Sequence, residues 1–520
     1  MKKACISIGL TVVIFLILLL HIDYLRFVCD DAFISFRYAK NFVEGHGLVY
    51  NIGERVEGYT NFLWTLLVSL FMKMGLDVVV VSQVLGALFS LGTVLLLLRL
   101  NRWLYPRESL FNYLAPLLLA CCGAYAAWST GGLETSLYTF LILLGSFFFL
   151  SGMTEPKRLA FSGITFSLIC MTRLDGLLFA GTTFVCLLYV SAVSKKIRPR
   201  NVLIWTISFL VPFLVYFFWR WSYYGRLLPN TFYVKMGGEM LYRQGLSYLF
   251  DFLKRFWIPV LMIPLVFLGE AVRLNHRLKT VISYFASMIL IFSLYVVYVG
   301  GDFMDMFRFL VPILPLFFFL VQEGFRGMHH YLHPLSKTGH KTALFTSEIL
   351  LIGLCAFFLA YPSQGSNKMW SRTGMDSIGL LRDYVRVWSK AGLMFKSIAK
   401  PSESLSTTAA GAIPYYSELY AIDELGLALA SDSQKDFTYR EVSKPGHTEL
   451  VTDEFLASRR PTYIIGQPKI YEERSKPTWQ WEVKEPLSSA GYKVEVFLIR
   501  ISENETRYFY FLSLREFDSG

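Results

Sequence analysis

The chain has 520 residues, of which 54% are apolar, 17% charged and 17% aromatic, with a mean hydropathy of +0.44. A soluble domain carries about a quarter charged residues, so this composition excludes an ordinary soluble enzyme and indicates a membrane protein. The net charge of +11 does not indicate a nucleic-acid partner, because most basic clusters sit between hydrophobic segments, where they orient a chain in the bilayer.

The first element is Ala4–Ile22, an uncharged stretch behind Lys2 and Lys3. It has signal-peptide character, but no small-residue cleavage site follows it, so it is expected as the first span with a cytoplasmic N-terminus. Asp30 to Phe62 then packs acids, bases, glycines and aromatics into a dense polar block just outside the membrane. Such a block is either an ordinary solvated loop or a catalytic one. The adjacent Asp30 and Asp31 cannot share one face of a helix or strand, so one can point to a reaction centre while the other holds a base, a metal or the loop itself. Arg55 and Glu57 are spaced to pair on one side of an extended segment, and Tyr59 to stack on a sugar; a surface ion pair of little worth is the plain alternative.

Gly58–Gly75 is apolar but short, and Lys73 interrupts its end. If it spanned, Arg99, Arg102 and Arg107 would fall outside; as a surface helix it leaves Val78–Leu98 as the second span and those arginines inside. Further spans are expected over 111–130, 133–151, 159–172, 174–193, 202–222, 255–272, 281–299, 306–323 and 343–361, eleven in all. Lys157 and Arg158, then Lys195, Lys196, Arg198 and Arg200, then Arg273, Arg277 and Lys279, then Arg326, Lys337 and Lys341 all fall on the cytoplasmic side of that arrangement. The spans are expected to be α-helical, because a helix satisfies its own backbone hydrogen bonds in lipid.

The connections on the other side carry the remaining chemistry. Thr130 to Thr135 includes Glu134, suited to a helix N-terminus. Thr172 to Gly176 places Arg173 and Asp175 at the membrane boundary, as an internal salt bridge or a phosphate site. Tyr223 to Lys235 gathers aromatic rings with Arg226, Asn230, Tyr233 and Lys235, as an interface belt or a carbohydrate platform. Gly300 to Arg308 joins a glycine pair to Asp302 and Arg308. Each has a plain structural explanation, but together with the two earlier clusters they make six polar groups at one membrane boundary, which a shared site explains.

The chain is thus expected to divide into a transmembrane module, 1–361, and an outer soluble α/β domain, 362–520. Tyr463–Ile465 and Val494–Ile501 read as strands and Asp453–Ser458 as a helix. Asn504-Glu505-Thr506 matches a glycosylation sequon, on three residues alone. The seven cysteines are scattered without a CxxC, so neither a disulfide framework nor a metal site is assigned.

Asp30–Tyr38, Glu54–Trp64, Gly132–Glu134, Arg173–Gly176, Leu228–Lys235 and Gly300–Arg308 resemble the terminal β-(1→2) arabinofuranosyltransferase (AftB-like) family, a branch of the GT-C superfamily of polyprenyl-phosphate-sugar-dependent glycosyltransferases. Gly411–Ser417, Ile422-Asp423 and Pro445-Gly446-His447 are similar to that family's C-terminal domain. Arg173-Leu174-Asp175 departs from it by lacking a proline between Arg and Asp. The resemblance implies a polytopic α-helical GT-C-like fold with outer juxtamembrane helices and an outer-face α/β domain. It also implies a polyprenyl-phosphate sugar donor, a cell-envelope glycan or glycolipid acceptor, and inverting transfer on the outer face of a bacterial inner membrane.

On these positions Asp30, or Asp31 if the pair is reversed, is the expected base. Arg173, Lys235 and Arg308 are expected to hold the leaving phosphate, and Arg55, Glu57, Tyr59, Glu134, Asp175, Asn230, Tyr233 and Asp302 to bind substrate. The aspartate pair has the chemistry to hold a divalent cation, but no further ligand spacing accompanies it. A lipid-linked-sugar flippase would use the same greasy spans, but it would show repeated halves and charges near the midplane. A non-catalytic envelope or flagellar assembly factor would tolerate loss of the aspartates.

Overall fold

The computed structural model describes residues 2–106, 109–193, 197–235, 240–268, 276–335, 341–361, 366, 375–429, 436–439, 449–471 and 483–515. By its internal contacts the chain forms two compact units. The first comprises Met1–Phe27, Ser82–Phe217 and Glu239–Gly379; the second comprises Val28–Val81, Phe218–Gly238 and Leu380–Gly520.

The first unit is helical. Among the described residues, six helices are long and apolar enough to cross a membrane: Cys5–Tyr24, Val78–Leu104, Thr135–Gly152, Pro199–Tyr224, His276–Tyr298 and Arg308–Leu332. Of the other expected spans, that over 343–361 is the helix Lys341–Ala360, described in full from Thr346, and the rest are shorter or broken. The helix expected over 111–130 divides at Cys122, whose backbone is extended, into Leu114–Cys121 and Gly123–Trp128. The helix expected from 255 runs as α-helix over Trp257–Met262 and then as a 3-10 helix over Ile263–Leu268, where Pro264 lacks the N–H that a continuous α-helix needs. Lys157–Thr172 has 16 residues, about 24 Å at 1.5 Å each, against a hydrocarbon core of about 30 Å. The surface helix expected in 58–75 is a 12-residue helix, Phe62–Lys73. Lys195, Lys196, Arg273, Lys337 and Arg107 of the basic clusters lie outside the described residues, as does the Lys341 side chain.

A polar network ties one end of this bundle. Arg326 is buried between the rings of Tyr105 (3.9 Å from Cζ to the centroid) and Phe111 (5.5 Å). It donates to Asn112 Oδ1 at 3.1 Å and lies 3.4 Å from Glu323, which also accepts from the Tyr105 hydroxyl at 2.5 Å. Gln322 and Asn101 exchange two hydrogen bonds beside it, at 2.8 and 3.1 Å.

The second unit is α/β. Its five-stranded sheet has the order β2-β1-β5-β7-β6, with β1 (Ser404–Thr407), β2 (Tyr420–Asp423), β5 (Tyr463–Tyr471), β6 (Lys493–Ser502) and β7 (Glu505–Ser513). β1 runs parallel to β2 and β5, while β7 pairs antiparallel with β5 and β6. A separate pair joins β3 (Phe437–Tyr439) to β4 (Glu449–Val451). Alternation along the strands gives the sheet two apolar faces. Tyr463, Ile465, Phe509 and Phe511 pack with Val387, Ala391 and Phe395 of the helix Ile378–Ile398; Ile464 and Ile422 pack with Phe455 and Leu456 of Asp453–Arg459. The strands and helix expected from sequence are therefore present, and Asn504 lies at the β6–β7 turn. Pro445-Gly446-His447 lies outside the described residues.

Replacing Arg326 by alanine removes one partner of a buried ion pair, a change that costs about 3–5 kcal/mol. The detergent-solubilised variant should melt well below the wild type; equal melting temperatures would show that this network does not hold the bundle.

Candidate active site

The polar block after the first span begins with a helix, α2 (Asp30–Val43), rather than a solvated loop. Residues Ala32 to Ala39 of this helix are all buried, so it is enclosed on every face and not half-solvated. Asp30 and Asp31 open it in the first turn, where acids suit the helix dipole, and both stay partly accessible.

Asp30 is oriented by residues far along the chain. Its Oδ1 accepts the Ala412 N–H at 2.7 Å and its Oδ2 the Gly411 N–H at 3.1 Å. These two residues open a short helix, Ala412–Ser417, that links β1 to β2. A Cβ on Gly411 would fall 2.0 Å from the Asp30 carbonyl oxygen and 2.6 Å from its Cγ, so only glycine admits the approach. Burial raises the Asp30 carboxyl to about 7; the Ala412 and Gly411 N–H groups oppose that rise, while the charges of Asp31 and Asp423 add to it.

Arg37, two turns on along nearly the same face of α2, clamps the run after α2 to the segment that carries Gly411 and Ala412. Its Nε donates to the Tyr50 carbonyl at 2.7 Å, and its Nη2 to Asn51 Oδ1 at 3.1 Å and to the Leu419 carbonyl at 2.7 Å. Its Nη1 donates to the Pro414 carbonyl. The guanidinium lies 4.6 Å from the Tyr50 ring centroid, and the Tyr50 hydroxyl donates to the Ala410 carbonyl at 2.6 Å. Asn51 exchanges two bonds with Ala421 of β2, at 2.9 and 3.1 Å. Outside this clamp, Glu418 pairs with both Lys40 and Lys396.

The remaining candidates in this unit are held elsewhere. Glu57 pairs with Arg220, not with Arg55, at 2.7 Å and with both side chains 4% exposed. Arg55 instead stacks on Tyr223, its Cζ 4.8 Å from the ring centroid. The swap has a simple cause: a buried carboxylate needs a buried cation, and Arg220 also answers the carbonyls of Leu227 and Arg226. Tyr59 is 4% exposed, 4.4 Å from the Tyr38 ring and 3.2 Å from the Tyr224 hydroxyl, so its ring belongs to an aromatic core and offers no platform. Asn230 is buried and donates to the carbonyls of Gly426 and Leu427 at 2.8 and 3.0 Å. Tyr233 is exposed beside Arg226. The Lys235 side chain lies outside the described residues.

The first unit gathers the other five candidates. Arg173 donates to Glu134 Oε1 at 2.8 Å and, through Nη2, to Asp175 Oδ2 at 2.8 Å, while the Tyr138 hydroxyl donates to Asp175 Oδ1 at 2.7 Å. Arg308 pairs bidentately with Asp302, at 2.6 and 3.2 Å. Both guanidiniums pack on one ring: Arg173 Cζ is 5.4 Å and Arg308 Cζ 5.1 Å from the Phe309 centroid. Between Asp302 and Arg308 the backbone takes two left-handed residues in succession, Met306 (φ 62°) and Phe307 (φ 49°), a conformation costing about 1–3 kcal/mol each. Trp128 Nε1 holds that turn by donating to the Asp305 carbonyl at 3.2 Å. Among the described residues there is no group of three or more His, Cys, Asp or Glu side chains placed to hold a metal.

Of the six polar clusters expected at one boundary, Glu134, Arg173, Asp175, Asp302 and Arg308 gather around Phe309, while Arg37, Tyr50, Asn51, Arg220 and the role of Gly411 were not anticipated. The Arg37 signal was present: an arginine amid Phe33, Phe36 and Tyr38 on a short helix is a buried cation in need of acceptors.

Known proteins resemble this chain in sequence and in fold. Residues 380–510 match a domain of unknown function, DUF8728. The terminal β-(1→2)-arabinofuranosyltransferase of Mycobacterium tuberculosis is 28% identical over 339 residues, covering 58% of this chain and 52% of that protein. Its counterpart from Corynebacterium glutamicum is 26% identical over 334 residues, covering 56% and 47%. The chain spans about half the length of the curated relatives it matches. ArnT from Cupriavidus metallidurans, in a crystal structure bound to undecaprenyl phosphate, aligns over 97% of both chains with a TM-score of 0.60 at 11% identity. That likeness shows the fold: a helical membrane module with a C-terminal sheet domain, as in ArnT. The resemblance to terminal arabinofuranosyltransferases read from the motifs stands.

Lysine at position 37 cannot reproduce the fork. Arg37→Lys would leave at least two buried carbonyl or amide acceptors unanswered, at about 1–3 kcal/mol each. It should lower the melting temperature and expose the segment 408–420 to protease. A variant as stable and as resistant as wild type would remove the clamp.

Proposed function

We propose that the chain is a membrane glycosyltransferase that moves a sugar from a polyprenyl-phosphate donor to a cell-envelope glycan or glycolipid. The observation that carries this reading is a carboxylate fixed by two backbone N–H groups at the head of α2, in a GT-C-like chain whose relatives are named arabinofuranosyltransferases. Arabinofuranose is the sugar the relatives' name points to. The reaction takes place at the outer face of a bacterial inner membrane, with the N-terminus in the cytoplasm. The N-terminal spans make the transmembrane module, and the segment beyond residue 361 makes the extracytoplasmic domain.

In this mechanism Asp30 takes the proton from an acceptor hydroxyl. Each of its oxygens spends one lone pair on a backbone N–H and keeps another for the substrate, so the N–H groups aim the base without occupying it. The acceptor oxygen forms a bond to the anomeric carbon as the bond from that carbon to the phosphate oxygen breaks, with inversion. The polyprenyl phosphate leaves as an anion and needs no general acid. Arg173 and Arg308, with Lys235, answer its charge; the two arginines are pre-oriented by Asp175, Glu134 and Asp302 and share Phe309. Asp31 keeps the Asp30 proton affinity high.

Transfer from radiolabelled polyprenyl-phosphate sugars to envelope extract should be abolished in Asp30→Asn. It should persist in Asp31→Asn with the acid limb of the pH profile moved to lower pH. The sign follows from charge: an anionic neighbour raises the Asp30 pKa, so removing it lets the base ionise earlier. In wild type the rate should rise through about pH 7. Loss in Asp31→Asn with an active Asp30→Asn would exchange the roles, and equal transfer in all three would remove the site.

Gly411→Ala tests the aiming. Because a misplacement of about 1 Å can cost about a hundredfold, kcat should fall by that order while the donor KM holds. An unchanged kcat would show that Gly411 does not position the base.

A further inference from the structure

Outside both clusters, the α/β unit carries a cleft that no step of the transfer uses. Glu54 of the first outer segment, Ser404, Tyr420, Ile422, Leu429 and Arg459 line it, and it holds about 230 Å³. Pockets for drug-sized ligands run roughly 300–1,000 Å³, so this one has room for a single ring and not for a longer stretch of ligand.

The lining is built and it is chemically mixed. Glu54 accepts from the Tyr420 hydroxyl at 2.6 Å and from Asn51 Nδ2 at 3.3 Å, so the carboxylate and the phenol fix each other. Tyr420 nevertheless remains 39% exposed. One carboxylate and one guanidinium give the cleft no net charge. An anionic ligand would meet Glu54 directly, and an apolar one would desolvate Arg459 without a return. A neutral ring with hydroxyls on its edge and C–H groups on its face suits both halves of the lining. Its hydroxyls can donate to Glu54 and accept from Arg459 in charge-assisted bonds, while its apolar face meets Tyr420, Ile422 and Leu429.

We propose that this cleft binds one neutral sugar residue, contributed by the acceptor glycan at a position remote from the reacting hydroxyl. That it is the acceptor's sugar rests on the transferase reading above; that it is a sugar site does not. The connection to the site is short. Asn51, which holds Glu54, also accepts from Arg37, and Arg37 clamps the segment that aims Asp30. Binding energy gathered on a distant part of a substrate can thereby serve the reacting end.

The test is binding without donor, so that transfer plays no part in it. The full chain in a sugar-free detergent is titrated with methyl glycosides of arabinofuranose and glucose, as mono- and disaccharides, and with glucuronic acid, by saturation-transfer NMR. The neutral glycosides should bind with millimolar affinity and the uronate more weakly. Arg459→Ala and Tyr420→Ala should each weaken the neutral ligands by about tenfold, and Tyr420→Phe, which keeps the ring, by less. Melting curves of Arg459→Ala should match wild type. Absence of wild-type binding to every neutral glycoside, or wild-type affinity in Arg459→Ala, overturns the sugar site. Binding intact in a protein that transfers nothing would overturn the transferase reading and leave the cleft standing.

Discussion

A guanidinium removed from water must have its N–H groups answered, and Arg37 has hers answered only by neutral oxygens. The carbonyls of Tyr50, Pro414 and Leu419 and the amide of Asn51 all converge on it. The acceptors come from two segments: the irregular run after α2 on one side, and the β1–β2 crossover on the other. Burial pulls the Arg37 guanidinium below its ordinary pKa, although the nearby Tyr50, Tyr38 and Glu418 oppose that shift. The clamp thus spends desolvation energy on geometry. What it secures is the position of Gly411 and Ala412, and through them the Asp30 carboxylate.

The two arginines of the helical unit show a different use of charge. Arg173 and Arg308 meet three carboxylates, Glu134, Asp175 and Asp302, so this cluster is not a bare cationic patch waiting for an anion. Its guanidiniums are locked at fixed angles by bidentate or paired contacts and by the shared face of Phe309. Pre-orientation of this kind costs affinity for any passing anion and favours one that arrives in the right place. The left-handed turn at Met306 and Phe307 is part of the same arrangement, since it brings Asp302 and Arg308 back onto each other within seven residues.

Much of this was legible in the sequence because it is local. Hydropathy located most of the helices, and the apolar runs Tyr463–Ile465 and Val494–Ile501 located the central strand β5 and the edge strand β6. Arg173 with Asp175, and Asp302 with Arg308, each lie within one short motif, and both pairs form. What failed was pairing at a distance. Arg55 and Glu57 have the spacing of partners, yet Glu57 takes Arg220, 163 residues away. Tyr59 sits in a motif full of polar residues, yet it packs with Tyr38, Tyr50 and Tyr224 in a core that composition does not announce. The breaks at Cys122 and Pro264 were also invisible to a window average, which blends short helices into one span. Gly411 was noticed as part of a motif, but its meaning lies in an atom of Asp30 that no local pattern contains.

The unit that holds Asp30 draws on three separated stretches of chain, and the bonds that aim this residue reach across 381 positions. Ribosomes add about 5–20 residues each second, so roughly 20–80 s pass between the synthesis of Asp30 and that of its partners. Throughout that interval the nascent protein is inserting helices with its proposed base unaimed. The Asp30 carboxylate therefore gains its two backbone partners late in synthesis. A chain truncated or stalled before Gly411 lacks the two backbone N–H groups that aim Asp30, and on the proposed mechanism it would be spared any premature chemistry.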